Sequence, residues 1–188
     1  MLSIIKTLNL SILGVCAPEL GKQGLTSWRG QSVLNEAVVL NGSNVNTVSL
    51  VNGVGHLPNE KNRERIFNNY KHRGYYFLSL IHPDAYVDQT VRLDEGIQIM
   101  AGAVIQADTF VGKNVIINTR ASIDHDCLIE DYVHIAPGAV LCGNVIVKMR
   151  AFIGSGAIVI QGIEIGEEAC IGAGTSIVRN VQARQRRI

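Results

Sequence analysis

From Ile81 to Ile177 every sixth residue is Ile, Leu or Val, at seventeen successive positions without an exception. Four residues after each stands a second apolar or small residue, from Ala85, Val91, Ile97 and Ala103 to Ala169, Thr175 and Val181. An amphipathic helix needs apolar residues recurring near every 3.6 positions and a half-buried strand alternates with period two, so neither fits. A period of six suits a parallel β-helix, in which each hexad supplies one short strand and one corner and stacked coils bury together what one coil cannot. One large and one mostly small inward side chain per hexad fill a narrow prism. If three hexads close one triangular coil, residues eighteen apart lie one above another at the strand spacing of about 4.8 Å. The register predicts an uninterrupted solenoid from Ile81 to about Val181, with no loop leaving a corner.

Residues 1–80 lack the hexad. Leu10 to Val15, Thr47 to Asn52 and Tyr75 to Leu80 are short β-rich apolar runs, and Gly53-Val54-Gly55 follows the second. A helix is expected from near Asn59, after Pro58, burying Ile66, Phe67 and Tyr70, with Lys71, His72 and Arg73 at its negative end and Gly74 as its stop. This reads as a truncated α/β, Rossmann-like unit over residues 1–80, followed by the β-helix over 81–182 and a basic tail over 183–188. No glycine-rich strand-to-helix turn opens it, and the lone Gly-Val-Gly is too short for a dinucleotide fingerprint.

Seventeen Lys and Arg against sixteen Asp and Glu leave the chain near neutral, which argues against nucleic acid or an acidic membrane as partner. Cys16, Cys127, Cys142 and Cys170 form no Cys-x-x-Cys pair, and Cys127 falls on an inward position, so reduced, mostly buried thiols and a cytoplasmic location are expected. The apolar run before Cys16 faintly resembles a lipoprotein signal, but Val15 is too large for the small residue such a signal carries there and Asn9 breaks the run.

The polar interruptions of the solenoid carry the candidate chemistry. His125 follows Ile123 by two and points outward, between Asp124 and Asp126. A histidine beside a carboxylate is the smallest unit of a general base, because the acid fixes the tautomer and stabilises the imidazolium. Gly143 lies eighteen residues on, one coil away, where a backbone N–H can hold the oxyanion of a tetrahedral intermediate. His134 is placed at or beside a corner. Asn118 heads the column Asn118, Ala136, Gly154, Gly172, whose small members suggest an open groove for a long, thin ligand such as the pantetheine arm of coenzyme A. Lys148, Arg150, Arg184, Arg186 and Arg187 are candidates for its phosphates, and equally for a solvated face.

The stretch Ile117-Asn118-Thr119-Arg120-Ala121-Ser122-Ile123-Asp124-His125-Asp126-Cys127, continued by Tyr132-Val133-His134-Ile135-Ala136-Pro137-Gly138-Ala139 and Cys142-Gly143-Asn144-Val145, closely resembles a family of bacterial acetyltransferases. These modify 4-amino sugars on nucleotide carriers and comprise bacillosamine- and perosamine-type N-acetyltransferases and sialic-acid O-acetyltransferase-like relatives. The resemblance runs from about Leu10 to Val181. It implies a mainly β protein, a left-handed parallel β-helix of hexapeptide repeats, a homotrimer with sites between adjacent prisms, and acetyl-CoA as donor without a metal. By the same resemblance His125 is the general base, Asp126 its orienter and Gly143 the oxyanion donor. Asn118 and His134 belong to the substrate pocket, and His134, Gly143, Ser155 and Ala173 to the cofactor site.

The sequence departs from that pattern in three places. Relatives begin with a strand and a glycine-rich turn that grips the sugar nucleotide, and this chain begins after it. Ala17 stands where a Gly-x-x-Asp stretch carries its acid, and the closing Gly-x-Pro-Ala-Lys tail is absent. The function expected is acetyl transfer from acetyl-CoA to the amine of a nucleotide-linked amino sugar. The alternatives are O-acetylation of a sialic-acid-like sugar and a non-catalytic trimeric scaffold. A zinc carbonic anhydrase on the same prism needs a third histidine ligand and an H-x4-H pair, and here His125 and His134 are nine apart.

Overall fold

The computed structural model describes residues 1–36, 39, 45–58 and 60–188. Its larger part is a parallel β-helix of two-residue strands that alternate among three sheets. Face A stacks Leu80–Ile81, Gln98–Ile99, Ile116–Ile117, His134–Ile135, Phe152–Ile153, Cys170–Ile171 and Arg186–Arg187. Face B runs from Tyr86–Val87 to Ser176–Ile177, and face C from Arg92–Leu93 to Glu164–Ile165. Neighbours within each face are parallel and eighteen residues apart, as in Ile117↔Ile135 and Ile123↔Leu141. The hexad aliphatic is therefore the inward member of each strand, and those from Ile99 to Ile171 are sealed from solvent.

The corners follow one backbone rule. Every sixth residue from Gly96 to Gly174 is left-handed, with φ between 55 and 72°. Glycine occupies fewer than half of these places; Asp108, Asn114, Arg120, Asp126, Tyr132, Asn144, Arg150 and Glu168 hold the others. A left-handed non-glycine residue costs about 1–2 kcal/mol. The stacked coils offset that cost, since the corner N–H donates to a carbonyl of the preceding coil: Asp126 N to Ala107 O at 3.0 Å and Asn144 N to His125 O at 2.9 Å.

No loop leaves a corner up to Ile177, as the register predicts. The eighteen-residue spacing then gives way, because Val181 bridges Ile165 and Arg187 pairs with Ile171, each sixteen residues apart. The final coil is two residues short, and the segment read as a basic tail adds the last strand of face A.

Face A is covered by the N-terminal unit. Ser49–Leu50 and Tyr76–Phe77 pair in parallel on either side of a helix, a single strand-helix-strand unit. That helix spans Asn62–His72, and Asn59, the expected start, lies outside the described residues. Phe67 and Tyr70 are buried as expected, in a cluster with Tyr75, Phe77 and Tyr132 of the prism, and Gly74 at φ +84° ends the helix. Ile66 is only partly buried, and the third buried helix residue is Arg63. The Leu10 to Val15 run forms no strand; Val15 makes one isolated bridge to Val33, and a short hairpin pairs Ser27–Trp28 with Gln31–Ser32.

Arg63 shows how the unit is fastened. Its guanidinium donates to the carbonyls of Asn52 and Val54 at 3.0 and 2.7 Å and to Asn114 O of the prism at 3.2 Å. Burial pulls its pKa down to about 9, which still leaves it charged at neutral pH. Gln98 of face A donates to Asn52 O at 2.6 Å. At the helix start Glu64 grips Arg150 through two bonds of 2.8 and 3.1 Å. Among the described residues no helix is long and apolar enough to cross a membrane.

Candidate active site

His125 and Asp126 are the two exposed residues of the corner between faces B and C, each with 59% of its side chain accessible. Asp126 occupies the left-handed place (φ 58°), so the corner backbone itself directs its carboxylate toward its neighbour. Asp126 Oδ2 lies 2.8 Å from His125 Nδ1. A carboxylate can only accept, so Nδ1 carries the proton and Nε2 presents a lone pair. On the other side the His125 N–H donates to Asp124 Oδ1 at 2.9 Å and fixes the turn. The bond to Asp126 and the charge of Asp124 raise the His125 pKa above its ordinary 6.5.

Gly143 lies one coil on, under the imidazole. A methyl group built on its Cα would stand 2.7 Å from His125 Cε1 and 2.8 Å from Nε2, so only glycine lets the ring lie there. The Gly143 N–H makes no hydrogen bond to any described residue. One corner thus joins an oriented imidazole to an unpaired backbone donor in the next coil, the juxtaposition that proton removal beside a developing oxyanion requires.

His134 and Asn118 lie elsewhere. His134 stands beside a corner, as the outward residue of its strand on face A, because each strand consists of the hexad aliphatic and the residue before it. Its Nδ1 is 3.0 Å from the carbonyl of His56, and Asn118 Nδ2 is 3.4 Å from its Nε2. That pattern sets a neutral ring with the proton on Nδ1. Burial, then the nearby Arg63 charge, lower its pKa against the pull of the His56 carbonyl. Asn118 starts the corner between faces A and B, the corner that also carries exposed Ser155 and Ala173. Within one chain the His125 group and the Asn118 group occupy different corners of the prism.

One sequence expectation fails. The column below Asn118 is no open groove: a methyl on Gly154 would meet the backbone of Ile171, Gly172 and Ala173 at 2.6 Å, so its small residues serve the stacking of coils. Of the five basic residues for which phosphate contact and a solvated face stood as equal readings, Lys148, Arg150 and Arg184 are ion-paired. Arg150 binds Glu64 and Glu167, Lys148 binds Glu130 at 3.0 Å, and Arg184 binds Glu168 at 3.1 Å.

His56 escaped the sequence reading. It lies beyond Gly53-Val54-Gly55, edge-on to His134 at 6.0 Å and stacked on Phe152 at 6.2 Å. Burial, then the adjacent His134 ring and the Arg63 charge, push its pKa down to about 4. A cleft of about 150 Å³ opens beside it between the N-terminal unit and face A, bordered by Lys61, Glu64, Tyr132, Arg150 and Cys170. No pattern in residues 1–80 marks His56; only the register of face A, which pairs His134 with Phe152, shows that something must cover that spot. Among the described residues no group of three His, Cys, Asp or Glu side chains could hold a metal ion.

Comparison with known proteins gives the family. The profile of the bacterial transferase hexapeptide family (six repeats) matches residues 108–143, the coils that carry His125 and Gly143. A GDP-perosamine N-acetyltransferase of Escherichia coli O157:H7 is 33% identical over 96 residues, 51% of this chain and 43% of that protein. The aligned stretch thus spans less than half the length of that curated relative. Among solved structures, a histidine-to-asparagine mutant of perosamine N-acetyltransferase from Caulobacter crescentus, in complex with CoA and GDP-perosamine, superposes with a TM-score of 0.87. It is 30% identical, covering 97% of this chain and 84% of that one. The acetyltransferase domain of PglB from Neisseria gonorrhoeae FA1090, in complex with acetyl coenzyme A, gives a TM-score of 0.77 at 35% identity, covering 83% of this chain and 75% of that one. The β-helix is therefore the left-handed form, and the chain belongs to the hexapeptide-repeat sugar acetyltransferases, the family of perosamine N-acetyltransferase.

Proposed function

We propose that this protein transfers the acetyl group of acetyl-CoA to the amine of a nucleotide-linked amino sugar by direct attack. The observation that carries the reading is the His125 ring, oriented by Asp126 and lying over the unpaired N–H of Gly143. The amine nitrogen forms its bond to the thioester carbonyl carbon while His125 Nε2 takes the amine proton. The oxyanion of the tetrahedral intermediate accepts a hydrogen bond from Gly143 N–H. Collapse breaks the carbon–sulfur bond, and the thiolate of coenzyme A leaves with the proton that the imidazolium returns. No covalent enzyme intermediate and no metal enters these steps. The likeness to proteins solved with CoA and GDP-perosamine, and with acetyl coenzyme A, supports both substrate classes.

The working unit in this reading is a homotrimer. Face A is already covered, whereas the outward residues of face B are Tyr86, Val104, Ser122, Val140, Ile158 and Ser176, with no charge among them. Tyr86 and Ile158 are 52% and 43% exposed. The outward residues of face C are Phe110, Leu128 and Ile146 in its middle, with Arg92 and Glu164 at its two ends. Docking face B of one copy on face C of the next is a heterologous contact that closes at three copies. It encloses the His125 corner and brings it against another protomer, so that Asn118, His134, Ser155 and Ala173 can complete the site across the interface.

The test is a thiol-release assay with acetyl-CoA and a panel of GDP-, UDP-, dTDP- and CMP-linked sugars, each with a free amine or only hydroxyls, and product analysis by mass spectrometry. Acetylation of an amino sugar is the expected result. Transfer to hydroxyl acceptors alone would make it an O-acetyltransferase, and no release with any acceptor would leave a scaffold.

A further inference from the structure

The turn that carries Gly143 rests on a buried thiol. Cys127 points into the prism directly behind the His125–Asp126 corner and is 2% exposed. Its Sγ lies 3.3 Å from the carbonyl oxygen of Cys142, and no backbone N–H of the described residues bonds that oxygen. The Cys142 carbonyl and the Gly143 N–H are the two ends of one trans peptide plane, so they point in opposite directions. A thiol that holds the oxygen inward turns the N–H outward, to the side where the imidazole lies.

The coil before it uses the same device. Thr109 stands eighteen residues ahead of Cys127 and donates from Oγ1 to Asp124 O at 3.0 Å. The far end of that peptide plane is the His125 N–H, bonded to Asp124 Oδ1. The next residue of the column is Val145, which has no donor, so the two clamps fall on the two turns that present His125 and Gly143. Burial pushes the Cys127 pKa up to about 11, so the sulfur keeps its proton and donates at neutral pH.

We infer that Cys127 is a positioning residue for acetyl transfer, whose S–H···O=C bond to Cys142 orients and polarises the Cys142–Gly143 peptide so that its N–H faces the developing oxyanion. A hydrogen bond at one end of an amide strengthens donation at the other. The inference rests on the reading of Gly143 as the oxyanion donor. It predicts an effect on kcat rather than on either KM, because the oxyanion exists only after attack.

Threonine and valine have nearly the same shape and differ here in one donor, and Thr109 shows that a threonine hydroxyl reaches its carbonyl from this column. Cys127→Thr and Cys127→Val are compared with the unaltered protein in two readouts. In the free protein the Gly143 amide proton, followed by NMR, stays near its original shift in the threonine variant and moves upfield in the valine variant. With acetyl-CoA and GDP-perosamine as probes, or the acceptor selected in the panel above, the valine variant loses about tenfold in kcat with both KM values within about twofold. The threonine variant stays within about threefold. Should valine fail to fold, Cys127→Ala serves as the variant without a donor. An unmoved Gly143 shift overturns the inference, as does a threonine variant as slow as valine, which would assign the effect to packing. Unchanged kcat in valine beside an inactive His125→Ala overturns it while leaving acetyl transfer intact. An active His125→Ala removes the reading of the site itself, and the inference with it.

Discussion

At the scale of single residues, Asp126 combines a backbone role with a chemical one. Its left-handed φ belongs to the corner between faces B and C, shared with Asp108 and Asn144, while its carboxylate lies against an imidazole. The rate needs neutral His125, and Asp126 raises the His125 pKa first through their hydrogen bond. The acid limb of the kcat/KM profile is therefore centred above 6.5, and Asp126→Asn moves it to lower pH while reducing the plateau. A limb that stays in place in Asp126→Asn would mean that the titration seen is not that of His125. The His125, Asp126 and Gly143 relation was legible in the sequence because an eighteen-residue repeat is a ruler, and the ruler reads outward corners well. It left His134 at or beside a corner because a hexad does not say whether the residue before the aliphatic belongs to the strand or the corner. His56 was hidden altogether, since it is held to the prism by contacts across long separations in sequence.

At the scale of elements, the small residues of the prism divide into two physical classes that sequence alone does not separate. Gly154 has ordinary negative-φ backbone but no room, with the next coil 2.6 Å from any added methyl. Gly156 is left-handed at φ +65° and faces open space. Gly154→Ala must push two coils apart and should cost about 2–3 kcal/mol, in the range of overpacked cores. Gly156→Ala pays only for the left-handed backbone, about 1 kcal/mol. Denaturant titration of both variants checks the order, and equal losses would contradict the assignment of Gly154 to coil packing. The solenoid could be read from the period alone up to Ile177, since each inward position obeys the same demand. Its end could not, because the two-residue shortening between Ile177 and Val181 leaves an apolar residue inward all the same. In the N-terminal unit the strand-helix-strand core around Phe67 and Tyr70 was legible from aromatic spacing and Gly74, whereas the Leu10 to Val15 run lacks a pairing partner along its length and stays irregular.

At the scale of the whole molecule, the N-terminal unit is bound to face A around two neutral histidines. An unfolded histidine titrates near 6.5, whereas His56 in the fold titrates at about 4 and His134 is also lowered, in both cases chiefly through burial. Between those pH values the unfolded chain binds protons that the folded one excludes. Stability that is full above pH 6.5 is thus lost progressively as pH falls toward 4. Denaturant titrations at pH 7, 5.5 and 4.5 should show this decline, with a shallower slope in His56→Gln; parallel slopes would exclude His56 as its source. Light scattering at micromolar concentration should give three copies of the chain, and an active monomer would exclude a site between prisms. The central claim, that His125 is the base of an acetyl transfer, is tested most directly by turnover of His125→Ala with acetyl-CoA and the amino-sugar acceptor found by the panel. A general base contributes about a hundred- to ten-thousand-fold. The variant should therefore lose at least about a hundredfold in kcat with acetyl-CoA affinity nearly unchanged, and near-native turnover would show that the histidine is only a surface residue of a charged corner.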